Sequence, residues 1–129
     1  MNSATINFDH WPDKALFPNQ AGNTLHWSQR SELRRIAKEE AYWLARKVLA
    51  GPCENYPFEK ANILIRVTAK DRRKRDLDGF LSAIKPFLDG IVEAGVLEDD
   101  NYFCVSEITI VFNANIREDT VTITIQEGM

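Results

Sequence analysis

Residues 71 to 101 read DRRKRDLDGFLSAIKPFLDGIVEAGVLEDDN, and the charged groups recur at spacings that could build a reaction centre. Asp76 and Asp78 stand two residues apart, where a polar segment gives way to an apolar periodic one. Two such carboxylates at a loop-to-helix junction can share a hard divalent cation. A third from a later turn completes the oxygen-rich site that Mg2+ prefers, with waters filling the remaining positions. The cluster Glu98-Asp99-Asp100, in the turn after the helix, offers that third group. A metal so held polarises a phosphodiester and supplies a hydroxide-like nucleophile near neutral pH. Lys85 follows Asp78 by seven residues and Asp89 follows it by eleven, about two and three helical turns. Asp78, Ser82, Lys85 and Asp89 therefore form one polar line. A lysine in that line can stabilise developing charge or orient the attacking water. Arg72, Arg73, Lys74 and Arg75 come just before, where they would hold a phosphate backbone beside the metal.

Each piece alone has a plainer reading. Acids in a first helical turn are commonly caps or dipole partners. Basic runs are commonly solvated faces, and an Asp-Asp pair in a turn is commonly only a turn. Together they are harder to dismiss. Four like-charged groups near one helix end repel one another unless a cation or the adjacent arginines offset them.

The elements that must position these groups follow from periodicity. Thr5 to Phe8 is a short strand, and residues 11 to 25, with two prolines, form a loop. Ser28 is the expected N-cap of a helix running to about Ala50. Leu33, Ile36, Ala37, Ala41, Leu44 and Val48 form its apolar stripe, and Gly51-Pro52 is its stop. Ala61, Ile63, Ile65, Val67 and Ala69 alternate with polar residues as in a strand with one wet face. The second helix carries Leu77, Leu81, Ile84, Leu88 and Ile91 on its buried side. Pro86 is expected to kink it or to confine the break to one turn, and Gly95 to end it. Tyr102 to Phe112 reads as a central strand and Val121, Ile123 and Ile125 as a half-buried one. The expected fold is α+β, a single domain over residues 1–129. A single-layer sheet of about four strands, mixed or antiparallel, packs on two main helices. Trp27 and Trp43 are expected in the core or at a dimer contact.

Composition narrows the function classes. With 129 residues, 44% hydrophobic and 27% charged, the chain is an ordinary globular one. No apolar run approaches the roughly 18 residues of a membrane span. The start, MNSATINFDHWPDK, lacks a basic and then apolar leader, so no secretory signal is expected. Cys53 and Cys104 sit in no metal spacing, and a reducing cytoplasm is the expected location. Lys70 to Arg75 hold five bases and one acid, while the other residues carry 11 bases and 18 acids, net −7. An acidic body with one concentrated basic segment suits local binding of a polyanion rather than a general coating of one.

The central segment resembles the RusA-type Holliday-junction resolvases in their phage and prophage form. That pattern runs basic cluster, D-x-D, spacer, K-x-x-x-D, G and D-D. Here it is RRKR, Asp76-Leu77-Asp78, Lys85 to Asp89, Gly95 and Asp99-Asp100. Leu16-Phe17-Pro18-Asn19, then His26-Trp27 and a long helix, is similar to the N-terminal part of phage-type members, so the resemblance spans roughly residues 6 to 126. It implies a homodimeric, Mg2+-dependent endodeoxyribonuclease, with Mn2+ as a substitute metal. Such an enzyme resolves four-way junctions in branched double-stranded DNA by paired symmetric nicks in recombination and repair. The implied metal ligands are Asp76, Asp78 and Asp100, the catalytic lysine is Lys85, and the DNA-contacting bases are Arg72, Arg73, Lys74 and Arg75. Some members have Asn after D-x-D, where this chain has Gly79. They also have a shorter spacer, which would set Ser82 in the lysine's place. The Lys85 alignment keeps Asp89 and Asp100 in register. Asp89 either joins the site or only pairs with Lys85. The alternative function is a branched-DNA-binding module on the same scaffold that does not cut. A phosphatase acting on small phosphoesters leaves RRKR unexplained.

Overall fold

The computed structural model describes residues 2–17, 27–50, 56–70, 77–113 and 118–128. The strands are β1 (Ser3–Phe8), β2 (Ala61–Thr68), β3 (Val105–Asn113) and β4 (Thr120–Glu127). The helices are α1 (Trp27–Leu49) and α2 (Leu77–Ala94), and a single 3₁₀ turn spans Lys14–Leu16. The sheet order is β1-β4-β2-β3. β4 runs antiparallel to both β1 and β2, while β2 and β3 are parallel and joined through α2. This is the α+β arrangement expected from the sequence, one mixed four-stranded sheet against two helices.

Alternation decides which sheet face is covered. Ala4, Ile6 and Phe8 of β1, Ala61, Ile63, Ile65 and Val67 of β2, and Val121, Ile123 and Ile125 of β4 are all buried. Their neighbours Thr5, Thr122 and Thr124 face the other way, where Thr5 and Thr124 approach to 3.3 Å and the Thr122 hydroxyl donates to Asn7 at 3.0 Å. One face thus meets the helices and the other is a hydroxyl-lined surface open to water.

Several expectations need correction. Tyr102 to Phe112 is not a central strand. β3 begins at Val105 and lies at the sheet edge, and β4 occupies the middle. Ile108, Ile110 and Phe112 share the core side with Ile63, Ile65 and Val67, yet Ile108 stays 42% exposed because no described strand covers the outer side of β3. The N-cap assignment also fails, since Ser28 already lies within α1. The expected α1 stripe holds for Ala37 and Ala41, which are buried, and for Leu33, Leu44 and Val48, which pack half-buried against the core, whereas Ile36 is half exposed and Ala45 is buried in addition. Gly90 of α2 sits against Ala41. A Cβ there would overlap the Lys38 carbonyl oxygen and lie 2.9 Å from Ala41 Cβ and from Tyr42 N. The buried face of α2 is Phe80, Ala83, Ile84, Phe87, Leu88 and Ile91, whereas Leu77 is half exposed. Trp27 and Trp43 are 72% and 59% exposed, so neither belongs to the core.

α2 continues through Pro86 as one helix, with Pro86 buried. The ring removes the bond to the Ser82 carbonyl. Both residues line an open groove, so the missing bond falls away from the close-packed core. Gly95 (φ 99°) ends the helix as expected. Its N–H reaches Val92 O at 3.0 Å, and the Val96 N–H reaches Ile91 O at 3.4 Å, the paired bonds of a Schellman cap. The Gly51-Pro52 stop lies outside the described residues, although α1 ends at Leu49. No helix among the described residues is long and apolar enough to cross a membrane.

Candidate active site

The first turn of α2 is anchored by Phe80. Its ring packs edge-on against Trp11 (5.1 Å), Phe17 (5.4 Å) and Phe112 (5.3 Å). Trp11 donates its indole N–H to Thr68 O at 2.8 Å, which ties this aromatic box to the end of β2. Thr68 also donates to Glu118 O at 2.7 Å, and the Lys70 N–H to Asp119 Oδ1 at 2.8 Å. The chain therefore enters residues 71–76 from a fixed point. Asp76, Arg72, Arg73, Lys74 and Arg75 lie outside the described residues. Asp78, two residues before Phe80, is exposed.

The polar line foreseen along α2 is present as one surface. Asp78, Ser82, Lys85 and Asp89 line a groove of about 640 Å3 between the helices, opposite Ser31, Arg34, Arg35 and Lys38 of α1. A smaller hollow of about 270 Å3 adjoins it through Lys38 and Asp89 and reaches Asp99 and Asp100. Asp78 lines the larger and Asp100, 22 positions on in the chain, the smaller of two hollows that share Lys38 and Asp89 and together make up the trough.

Lys85, in the lining of the larger hollow, reaches Asp100 of the smaller one. Its Nζ donates to Asp89 Oδ1 at 2.7 Å and to Asp100 Oδ2. Burial lowers the lysine's affinity for its proton, but the hydrogen bonds to Asp100 and Asp89 and their charges outweigh it, so the pKa is raised. The same contact with Lys85 holds the Asp100 carboxyl below its ordinary 3.8, against the opposing effect of burial. Both groups are ionised at neutral pH. An ammonium has three N–H donors, and two are engaged here. Of the two readings of Asp89, pairing with Lys85 is the contact seen.

Asp100 is held by a turn whose chemistry the sequence reading overlooked. Asp99 Oδ1 accepts the Asp100 N–H at 2.7 Å, and Asp99 Oδ2 accepts Asn101 Nδ2 at 3.0 Å. Asn101 Oδ1 in turn accepts the N–H groups of Phe103 (3.0 Å) and Cys104 (3.2 Å). Asp99 is therefore a brace, and Asp100 is the carboxylate presented to the trough. The signal was available in Asp-Asp-Asn before an apolar run, since such side chains bond the backbone one to three residues on.

The acids along the trough, Asp78, Asp89 and Asp100, offer oxygen donors of the kind Mg2+ takes, and Lys85 occupies only one oxygen of Asp100. Among the described residues no three His, Cys, Asp or Glu groups converge, and the expected triad includes Asp76, which is not among them. No protein-family model matches the chain, and no curated protein matches it.

Proposed function

We propose that the chain is a metal-dependent endodeoxyribonuclease of the RusA type, cutting branched double-stranded DNA, four-way junctions above all, as a homodimer. The observation that supports this most is the Lys85–Asp100 contact at a groove shared with Asp78. Lys85 meets Asp100 from 15 positions away in the chain and shares the groove's lining with Asp78.

Asp78 and Asp100, with Asp76, would hold Mg2+, which when bound supplies a polarised phosphodiester and an activated water. The chain's own residues do the rest. Arg72, Arg73, Lys74 and Arg75 hold the phosphate backbone at the start of α2. Lys85 is kept charged by its two carboxylates and has one N–H left for a phosphate oxygen. It can therefore stabilise the charge that develops as water adds and the P–O bond breaks. Asp99 and Asn101 keep Asp100 in place. A four-way junction has two-fold symmetry, and a dimer with two equal sites matches paired nicking.

The test is a labelled synthetic four-way junction and a linear duplex of matching sequence, each incubated with Mg2+ and with EDTA. The expected result is paired nicks in the junction, dependent on metal, with the linear duplex spared. Asp78→Asn should abolish cutting while junction binding is kept or tightened, since less negative charge faces the phosphates. Binding of the junction without any cutting would assign the chain to the non-cleaving alternative. Wild-type cutting by Asp78→Asn would overturn the metal site.

A further inference from the structure

The wall of the groove facing the candidate site belongs to α1, and its charge is only partly offset by ion pairs. Over residues 27–38, Arg30, Arg34, Arg35 and Lys38 stand against Glu32 alone, net +3 within a chain of net −3. Ser31, Arg34 and Lys38 follow one another at steps of three and four, so they lie on one helical stripe, and all three line the groove. The helices advance in the same sense. Arg34 lines the groove with Asp78 and Ser82, Lys38 pairs with Glu93 at 2.7 Å, and Arg46 Nη1 donates to Ala94 O at 3.3 Å. The basic half of α1 therefore runs beside the half of α2 that carries Asp78 and Lys85.

The cations of this groove differ in their commitments. Arg35 is forked between Glu32 (2.6 Å) and Glu39 (2.8 Å). Lys38 is taken by Glu93, and Lys85 by Asp89 and Asp100. Arg34 forms no ion pair among the described residues, although Asp89 lines the same groove and pairs with Lys85 instead. A guanidinium left unpaired in a groove, opposite groups that handle phosphodiesters, has the form and charge to take a phosphate bidentately.

We infer that α1 is a second backbone-binding wall, with Arg34 clamping a phosphate of the DNA strand that continues along the groove past Lys85. From Ser31 to Lys38 the helix rises about 10.5 Å, enough to follow about three nucleotides of one strand. This inference rests on the nuclease reading above. It adds a phosphate subsite on α1, distinct from the basic run before α2.

The experiment is equilibrium binding of a fluorescein-labelled four-way junction in EDTA, read by anisotropy over a series of KCl concentrations. Arg34→Ala should lower the log–log salt slope by about one and weaken binding about eightfold at about 0.1 M salt, as expected for one lost phosphate contact. Arg34→Lys should restore most of the slope. Lys47→Ala removes the same charge from an exposed position away from the groove and should leave the slope at the wild-type value. Equal, small effects of Arg34→Ala and Lys47→Ala would overturn the α1 wall and leave the nuclease reading standing. A wild-type protein that binds no junction at any salt would overturn both.

Discussion

Removing the Lys85 ammonium separates a catalytic group from a surface ion pair. If Lys85 acts on the phosphate, Lys85→Ala should lower single-turnover cleavage by on the order of 100-fold or more, with junction affinity changed far less. If it serves only Asp89, an exposed pair of that kind contributes under about 1 kcal/mol, and cleavage would hardly change. Near-normal cutting by Lys85→Ala would therefore remove it from the mechanism. His10 carries a second residue-scale prediction. Its Nδ1 lies 2.7 Å from Trp11 O and its Nε2 lies 2.7 Å from Glu40 Oε2, so only the doubly protonated ring donates to both. Burial lowers its pKa, but the bonds to Glu40 and Trp11 and the charges of Glu40 and Asp9 outweigh that and raise it above the ordinary 6.5. A raised folded-state pKa means a stabilising contribution fully present below the unfolded value and lost as pH rises through the folded one. Thermal midpoints measured from about pH 5.5 to about pH 8.5 should fall for the wild type relative to His10→Gln. Parallel curves would show that the imidazolium adds nothing to the fold.

The groove exists only while α1 and α2 keep their distance, and that distance is set by Gly90 against Ala41. Gly90→Ala forces a methyl group into the Lys38 carbonyl, where backbone rather than a flexible side chain must yield. Overpacking of this sort costs about 1–3 kcal/mol. Chemical denaturation should report that loss, and junction binding should weaken with it as Arg34 moves relative to Lys85. Unchanged stability would mean that the helices separate freely. The element scale is also where sequence and structure part most clearly. The spacing of Asp78, Ser82, Lys85 and Asp89 is a property of one helix, so it was legible from the sequence. The α1 stripe was legible as well, apart from Ile36, but that the helices come closest at Ala41 was not, since only the partner glycine shows where they meet. Arg34 was missed for the same reason. A lone arginine in a charged helix has no signal until the opposite wall of the groove is known.

At the scale of the whole molecule, the sheet order makes equal-looking residues unequal. Ile123 on β4 is fully buried between two strands, and Ile108 on β3 is 42% exposed at the edge. Ile123→Ala should cost about 2–5 kcal/mol in denaturant unfolding. Ile108→Ala should stay within about 1 kcal/mol, closer to the range of surface changes. Similar losses at both positions would mean that the β3 edge is covered in solution, as a dimer contact there would do. The sequence by itself determined what depends on local periodicity and local chemistry: the strand alternation in β1, β2 and β4, the two helices, the glycine cap at Gly95, and the polar line of α2. These follow from bond geometry repeated every two or 3.6 residues. Only the tertiary structure decided that β4 rather than β3 lies in the middle, that Asp100 meets Lys85, and that α1 supplies the opposite wall. Those are contacts between segments distant in the chain. Their partners are selected by which apolar faces can be buried together, a choice that no single segment encodes.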